Sequence, residues 1–84
     1  MNLQSAIIQE HAAHQMAKRQ VSEADVRSTL ARPEAVLPVR EGRVVAQAIQ
    51  GSHLLRVFVD VDRDPPEVVT VYRSSKIEKY RSQP

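Results

Sequence analysis

The spacing of apolar residues changes once along this chain, near Ala35, and that change constrains the fold more than any other feature. Before it, apolar residues recur at helical intervals and predict two helices, from Leu3 or Gln4 to about Arg19 and from Ser22 to Ala31. After it, apolar and polar residues alternate, which is typical of half-buried strands. The sequence therefore predicts an α+β domain whose two N-terminal helices pack on one face of an antiparallel sheet.

The corner between the two helices is predicted from individual residues. Ser22 is a suitable N-cap, and Asp25 three positions later completes a variant of the capping box. Val21 before the cap and Val26 after it have the spacing of a hydrophobic staple. Pro33 disfavours helical geometry at the residue before it and so ends the second helix.

Segments after Pro33 predict three or four strands and a short helical tail. Gly51-Ser52 is a two-residue turn signal, so the strands on either side of it form a hairpin. Pro38 confines the first segment to an edge strand or to irregular structure. The expected architecture is one domain, residues 1–84, with an antiparallel meander and one or two helical turns after Ser74. The predicted strands are Ala35–Arg40, Arg43–Gln50, His53–Val61 and Val68–Arg73.

The composition excludes several classes of site. The chain has 84 residues, enough for one domain with a small core. It contains no cysteine, which excludes disulfides and thiolate chemistry and makes a reducing cytoplasm the expected location. No apolar run is long enough to cross a membrane, so no membrane contact is expected. No His/Cys metal spacing or phosphate-binding Gly-rich loop occurs, and neither a metal nor a cofactor is expected.

The first helix carries polar side chains on its apolar side. At about 100° per residue, His11, Gln15 and Arg19 fall within an arc of about 80°, and Ile8 lies in the same arc. A histidine can transfer protons near neutral pH, and a guanidinium can hold a phosphate through two hydrogen bonds. The alternative is structural, with His11 and Arg19 tying the helix to the sheet.

Arg56 is a second candidate because it is expected in the middle of a strand, on a face that it shares with Phe58. A cation in that position must pair, reach solvent or bind an anion. Asp60, the second side chain along the same face after Phe58, is its simplest expected partner. Thr70 and Tyr72 share one face of the last strand and would approach Arg56 if the two strands are neighbours.

The C-terminal segment is basic, although the whole chain has a formal net charge of only +2. Four cations and one anion give residues 71–84 a net side-chain charge of +3. Cations interleaved with Tyr72 and Tyr80 suit the phosphate backbone of a nucleic acid with an occasional stacked base. A solvated basic tail is the simpler alternative. The cations are Arg73, Lys76, Lys79 and Arg81, and the anion is Glu78.

Both ends of the chain resemble a known family. Residues 11–26, HAAHQMAKRQVSEADV, resemble the motif HAxxRMxxRxIxxxDV, which opens a family of short prokaryotic proteins filed as a domain of unknown function. The family ends in a strand reading VITVYR and a Lys/Tyr-rich tail, which residues 69–73 (VTVYR) and 75–80 (SKIEKY) resemble. The resemblance implies a fold similar to the RelE- and BrnT-type toxin ribonucleases of the barnase–colicin–RelE-like group. Such proteins are often encoded beside an antitoxin and cut RNA without a metal.

The resemblance also implies a mechanism, in which the 2′-hydroxyl of RNA attacks its adjacent phosphate. His11 or Tyr72 would be the base or acid, and Arg19, Arg56 and Lys76 would stabilise the charge that develops on the phosphate. Catalytic roles are thus expected for His11, Arg19, Arg56 and Tyr72, and contacts to RNA for Thr70, Arg73, Lys76, Lys79 and Tyr80.

One position departs from the family pattern. Gln15 stands where the family usually has arginine, so one cation of the implied site is missing, and Arg56 or Lys18 would have to replace it. The partners that the resemblance implies are RNA and a cognate antitoxin-like protein. The competing hypothesis is a non-catalytic module of the same fold that binds a protein or RNA, in which His11 and Arg19 are structural.

Overall fold

A computed structural model describes residues 3–77 of the chain. In that range, two helices pack on one face of a five-stranded sheet with the strand order β1-β5-β4-β3-β2. Neighbouring strands are antiparallel except β1 and β5, which are parallel. After a 3-10 turn at Leu3–Ser5, the elements are β1 (Ile7–Ile8), α1 (Glu10–Lys18), α2 (Glu23–Ala31), β2 (Ala35–Arg40), β3 (Arg43–Gln50), β4 (His53–Asp60) and β5 (Glu67–Ser74).

The predicted corner between the helices is confirmed. The Ser22 hydroxyl accepts a hydrogen bond from the Asp25 amide at 3.1 Å, which caps α2. Val21 and Val26 are both buried, as a hydrophobic staple requires. The chain leaves α1 through Gln20, whose φ of 57° lies in the left-handed region, and the Val21 amide then donates to the Met16 carbonyl at 2.8 Å.

The predicted start of the first helix was wrong, and with it the expected number and direction of the strands. Helix α1 begins at Glu10, and the residues before it form the parallel strand β1, so the sheet is mixed and has five strands. The N-cap position is occupied by Gln9, which is not one of the preferred N-cap residues and makes no side-chain capping hydrogen bond, so the usual N-cap signal is missing there. The partner of β1 lies about sixty residues later in the chain, beyond the reach of any local pattern.

Hydrogen bonds hold this N-terminal segment against the body of the domain. The Ile7 amide donates to the Pro66 carbonyl at 2.8 Å, and the Gln9 amide donates to the Val68 carbonyl at 3.3 Å. From α2, the Arg27 guanidinium donates to the Ala6 carbonyl at 2.6 Å. These contacts fix where α1 begins, at the outer edge of β5.

The antiparallel meander follows the prediction closely. The turn at Gly51 joins β3 to β4, β2 is an edge strand, and all four predicted segments are strands. The pairing of β4 with β5 shifts between Phe58 and Val59, because Val69 is inserted as a bulge. Of the predicted tail, Ile77 is helical, while Lys79 and Tyr80 lie outside the described residues.

The main core lies between the helices and the sheet. Val57 and Val71 from the central strands are fully buried there, against Ala12 and Val26 from the helices. On the opposite face of the sheet, Val45 is also buried. Within residues 3–77, no helix has the length and apolar character needed to cross a bilayer.

Candidate functional site

An open cleft of about 500 Å³ lies at the end of the sheet where β1 leads into α1. Strands β3, β4 and β5 form its floor, and the first turn of α1 forms one wall. Two guanidinium groups, an imidazole and a carboxylate line it, together with an amide, a hydroxyl and one apolar side chain. The lining residues are Gln9, His11, Arg43, Asp60, Arg63, Val69 and Thr70.

Two irregularities of the backbone build this cleft. The hydrogen bond from the Gln9 amide to Val68 anchors the entry to α1 beside β5, which places His11 at the rim. The bulge at Val69 then puts two successive residues of β5, Val69 and Thr70, into the lining. Bulges commonly re-aim side chains at functional sites in this way.

His11 is exposed in the first turn of α1. Among residues 3–77, no hydrogen bond or ion pair engages its imidazole. The structural alternative required His11 to tie the helix to the sheet. No hydrogen bond or ion pair of its side chain among residues 3–77 does so. The side chain is available to a ligand in the cleft.

Arg43 and Asp60 form a two-pronged ion pair on the cleft floor. Nε of Arg43 donates to Oδ1 of Asp60 at 2.6 Å, and Nη2 donates to Oδ2 at 3.2 Å. The Asp60 side chain is only 7% exposed. The hydrogen bond from Arg43 lowers the pKa of Asp60 below its usual value, against the opposing effect of burial. A second, more exposed pair joins Arg63 to Glu67 at 3.2 Å.

The expected ion pair between Arg56 and Asp60 was wrong. Asp60 lies directly opposite Arg43 in the β3–β4 register, where side chains are about 5 Å apart, whereas Arg56 is four residues from it along β4, about 13 Å away. The predicted turn at Gly51-Ser52 already implies this register, because counting outward from it pairs Arg43 with Asp60. The signal was therefore in the sequence.

Arg19 lies at the other end of α1 from His11. Its Nη1 donates to the Val71 carbonyl at 2.5 Å. This bond ties the end of α1 to β5 and satisfies a backbone acceptor there. Arg19 therefore ties the helix to the sheet, as the structural alternative proposed, whereas His11 does not.

Arg56 and Tyr72 lie side by side on the face of the sheet opposite the helices. They are direct partners in the β4–β5 register. Nε of Arg56 donates to Oε1 of Gln47 at 3.0 Å. Neither residue lines the cleft, so of the four predicted catalytic residues only His11 does.

The residues expected to contact RNA do not lie together in the structure. Thr70 lines the cleft with His11. Arg73 instead lines a small pocket of about 40 Å³ on the helix side of the sheet, beside His53. Lys76 is exposed, and its amide donates to the Ser74 hydroxyl at 3.0 Å. Lys79 and Tyr80 lie outside the described residues.

Gln15 has a buried side-chain oxygen, Oε1, without a hydrogen-bond partner in residues 3–77. An unsatisfied buried acceptor costs about 1–3 kcal/mol. We expect Gln15→Leu to raise the free energy of unfolding by about 1 kcal/mol and the melting temperature by roughly 4–8 °C. Thermal and urea unfolding measure this change.

Lys18→Leu is the matched control for Gln15, because Lys18 is exposed on the same helix and has a similar helix propensity. This variant should change the free energy of unfolding by less than about 0.5 kcal/mol. Equal effects of the two leucine substitutions would contradict a specific cost at Gln15.

A metal site is not apparent in the part of the chain that the structure describes. Residues 3–77 contain no group of three or more histidine, cysteine, aspartate or glutamate side chains arranged to hold an ion. The side chains that line the cleft supply an imidazole, two guanidinium groups, a carboxylate, an amide and a hydroxyl.

Comparison with known proteins identifies the family of this chain. The model of the family DUF4258, a domain of unknown function, matches residues 8–73. This span includes both helices and nearly the whole sheet. Neither a curated protein nor a solved structure is significantly similar to the chain.

Proposed function

The chain belongs to the DUF4258 family, and we propose that it is a metal-independent endoribonuclease, the toxin of a toxin–antitoxin pair. The observation that supports this most directly is His11, an exposed imidazole without a partner among residues 3–77. It lies at a cleft that also contains two guanidinium groups. A proton carrier beside cationic groups is the combination that cleavage of a phosphodiester uses.

The proposed reaction is an internal transfer of the phosphate. The RNA 2′-oxygen forms a bond to the adjacent phosphorus, and the bond from that phosphorus to the 5′-oxygen of the next nucleotide breaks. The 2′-hydroxyl gives up its proton, and the leaving 5′-oxygen receives one. The products are a 2′,3′-cyclic phosphate and a 5′-hydroxyl, and His11 transfers one of the two protons.

Arg43 and Arg63 are proposed to hold the phosphate. Arg43 uses Nε and Nη2 to bind Asp60, which leaves the hydrogens of Nη1 for a ligand. Arg63 uses Nη1 to bind Glu67, which leaves Nε and Nη2. Both cations are partly neutralised by carboxylates, so we expect the affinity for a single phosphate to be modest.

A non-catalytic RNA-binding module of the same fold is the second candidate. The separation of the predicted catalytic residues favours it, because Arg19, Arg56 and Tyr72 do not line the cleft with His11. Tyr72 is the other residue predicted as base or acid, so cleavage would need a different group for the second proton. RNA that is bound and not cut is the outcome that this candidate predicts.

Incubation of the purified protein with single-stranded RNA in EDTA tests the proposal. We expect cleavage, product ends that carry 2′,3′-cyclic phosphate, and no cleavage of an oligonucleotide that lacks 2′-hydroxyls. Loss of activity in EDTA, or equal cleavage of DNA, would contradict the mechanism. Binding without cleavage by folded protein would support the RNA-binding module.

Expression in bacterial cells tests the toxin assignment separately. A toxin should arrest growth, and the arrest should disappear when His11 is replaced by alanine. Growth that continues at full rate despite expression of active ribonuclease would remove the toxin assignment while leaving the enzymatic one intact.

A further inference from the structure

Arg56 is held in a fixed position on the face of the sheet opposite the helices. Its Nε donates to Gln47, its direct cross-strand partner, at 3.0 Å. Its guanidinium carbon lies 5.6 Å from the centroid of the Phe58 ring, within the range of a cation–π contact. The guanidinium group of Arg56 thus contacts the Phe58 ring and is hydrogen-bonded to the Gln47 amide.

Tyr72 extends this arrangement towards the outer strand. It is the direct partner of Arg56 in the β4–β5 register, so the two side chains lie next to each other on one face. Tyr72 is 37% exposed, so part of it is accessible on the sheet face that the helices do not cover. Together, Arg56, Phe58 and Tyr72 form a group that we call the aromatic platform.

The aromatic platform adjoins the cleft. Thr70, which lines the cleft with His11, is the direct partner of Phe58 and lies two residues before Tyr72 on the same strand. Residues two apart on a strand share a face and lie about 6.6 Å apart. A nucleic-acid strand in the cleft would therefore have its neighbouring nucleotide over the platform.

We propose that the aromatic platform stacks one unpaired base of single-stranded RNA, next to the phosphate held in the cleft. Aromatic rings and planar guanidinium groups are the surfaces on which proteins stack unpaired bases. This inference rests on the proposed function for the identity of the ligand. It assigns Tyr72 and Arg56 to binding, whereas a catalytic role was expected for both from the sequence.

The two roles of Tyr72 predict different effects of two substitutions. Stacking depends on the ring, so Tyr72→Phe retains it and Tyr72→Ala removes it. Proton transfer depends on the hydroxyl, so both substitutions remove it. Arg56→Lys keeps the charge and removes the planar group, which separates stacking from simple attraction to phosphate.

The test uses a fluorescent 2′-O-methyl oligouridine, which cannot be cleaved by 2′-hydroxyl attack, and measures binding by anisotropy. We expect Tyr72→Ala to weaken binding about tenfold, Tyr72→Phe to retain it within about twofold, and Arg56→Lys to weaken it severalfold. An abasic backbone of the same length should bind wild type and Tyr72→Ala equally, because it has no base to stack.

Several results would overturn the platform. These are a wild-type protein that does not bind the oligonucleotide, equal losses for Tyr72→Phe and Tyr72→Ala, and a loss for Tyr72→Ala that persists on the abasic backbone. The probe is not cleaved, so a protein that binds it in the expected pattern and never cuts RNA would retain the platform and lose the proposed enzymatic function.

Discussion

Replacement of His11 by alanine is expected to lower the rate of RNA cleavage by at least about 100-fold and to leave the melting temperature unchanged. A positioned acid or base contributes roughly 10²–10⁴-fold to the rate of a proton-transfer step. Stability should not change because the imidazole is exposed and has no hydrogen bond or ion pair within residues 3–77. Initial rates on a labelled RNA and thermal unfolding measure the two quantities.

His14 supplies the matched control for this experiment. It is exposed on the same helix, three residues after His11, and does not line the cleft. His14→Ala should therefore cleave RNA at the wild-type rate. Equal activity of His11→Ala and wild type would contradict the assignment of His11, and so would an equal loss in the two alanine variants. A lower melting temperature for His11→Ala than for wild type would indicate that His11 has a structural role.

Replacement of Arg43 by leucine is expected to lower the free energy of unfolding by about 2–3 kcal/mol at neutral pH. The reason is the burial of Asp60, whose side chain is only 7% exposed. In the variant it would keep its charge but lose both hydrogen bonds from Arg43. Urea unfolding followed by circular dichroism measures the change. The double replacement of Arg43 and Asp60 by leucine should recover most of the loss, because it removes the unpaired buried charge.

The effect of Arg43→Leu should depend on pH in a defined direction. Because the pKa of Asp60 is lower in the folded protein than in the unfolded chain, the pair stabilises the fold above the unfolded pKa of about 3.9. This contribution is lost as the pH falls through the lower folded pKa. The difference in stability between wild type and Arg43→Leu should therefore shrink in acid, where the carboxylate takes up a proton.

Arg63→Leu is the control for this pair. Arg63 also lines the cleft and pairs with a carboxylate, that of Glu67, but its side chain is 52% exposed. Exposed ion pairs contribute little, so stability should hardly change. Equal destabilisation by the two leucine substitutions, or a difference between Arg43→Leu and wild type that does not shrink in acid, would contradict the account based on the buried carboxylate.

Predictions from the sequence succeeded where the relevant interactions are local. The Ser22 cap and the Val21–Val26 staple involve residues no more than five positions apart, and both are present. The hairpin around Gly51 is equally local, and the register that follows from its turn sets the cross-strand partners of Arg43 and Arg56. The predicted pairing of Arg56 with Asp60 failed because a residue four positions along the strand was chosen over Arg43, the residue opposite Asp60.

The candidate site depended on contacts that no local pattern contains. His11 was found from the helical arc and the family motif, but its isolation from structural partners became visible only in the fold. Arg19 has the same arc and motif, and the structure nevertheless bonds it to the backbone of β5. Sequence spacing places two side chains on one face of a helix, and the neighbouring elements decide what each one touches.

The sequence by itself determined the α+β class, the helical corner and the order of the antiparallel strands, because helix caps, turns and apolar periods act over a few residues. The tertiary structure alone decided that Ile7 and Ile8 form a parallel strand, since their partner lies about sixty residues away. It also decided the bulge at Val69, which shifts the register in a way that no turn signal predicts. The cleft results from these two distant pairings, which is why its composition could not be derived from motif and period alone.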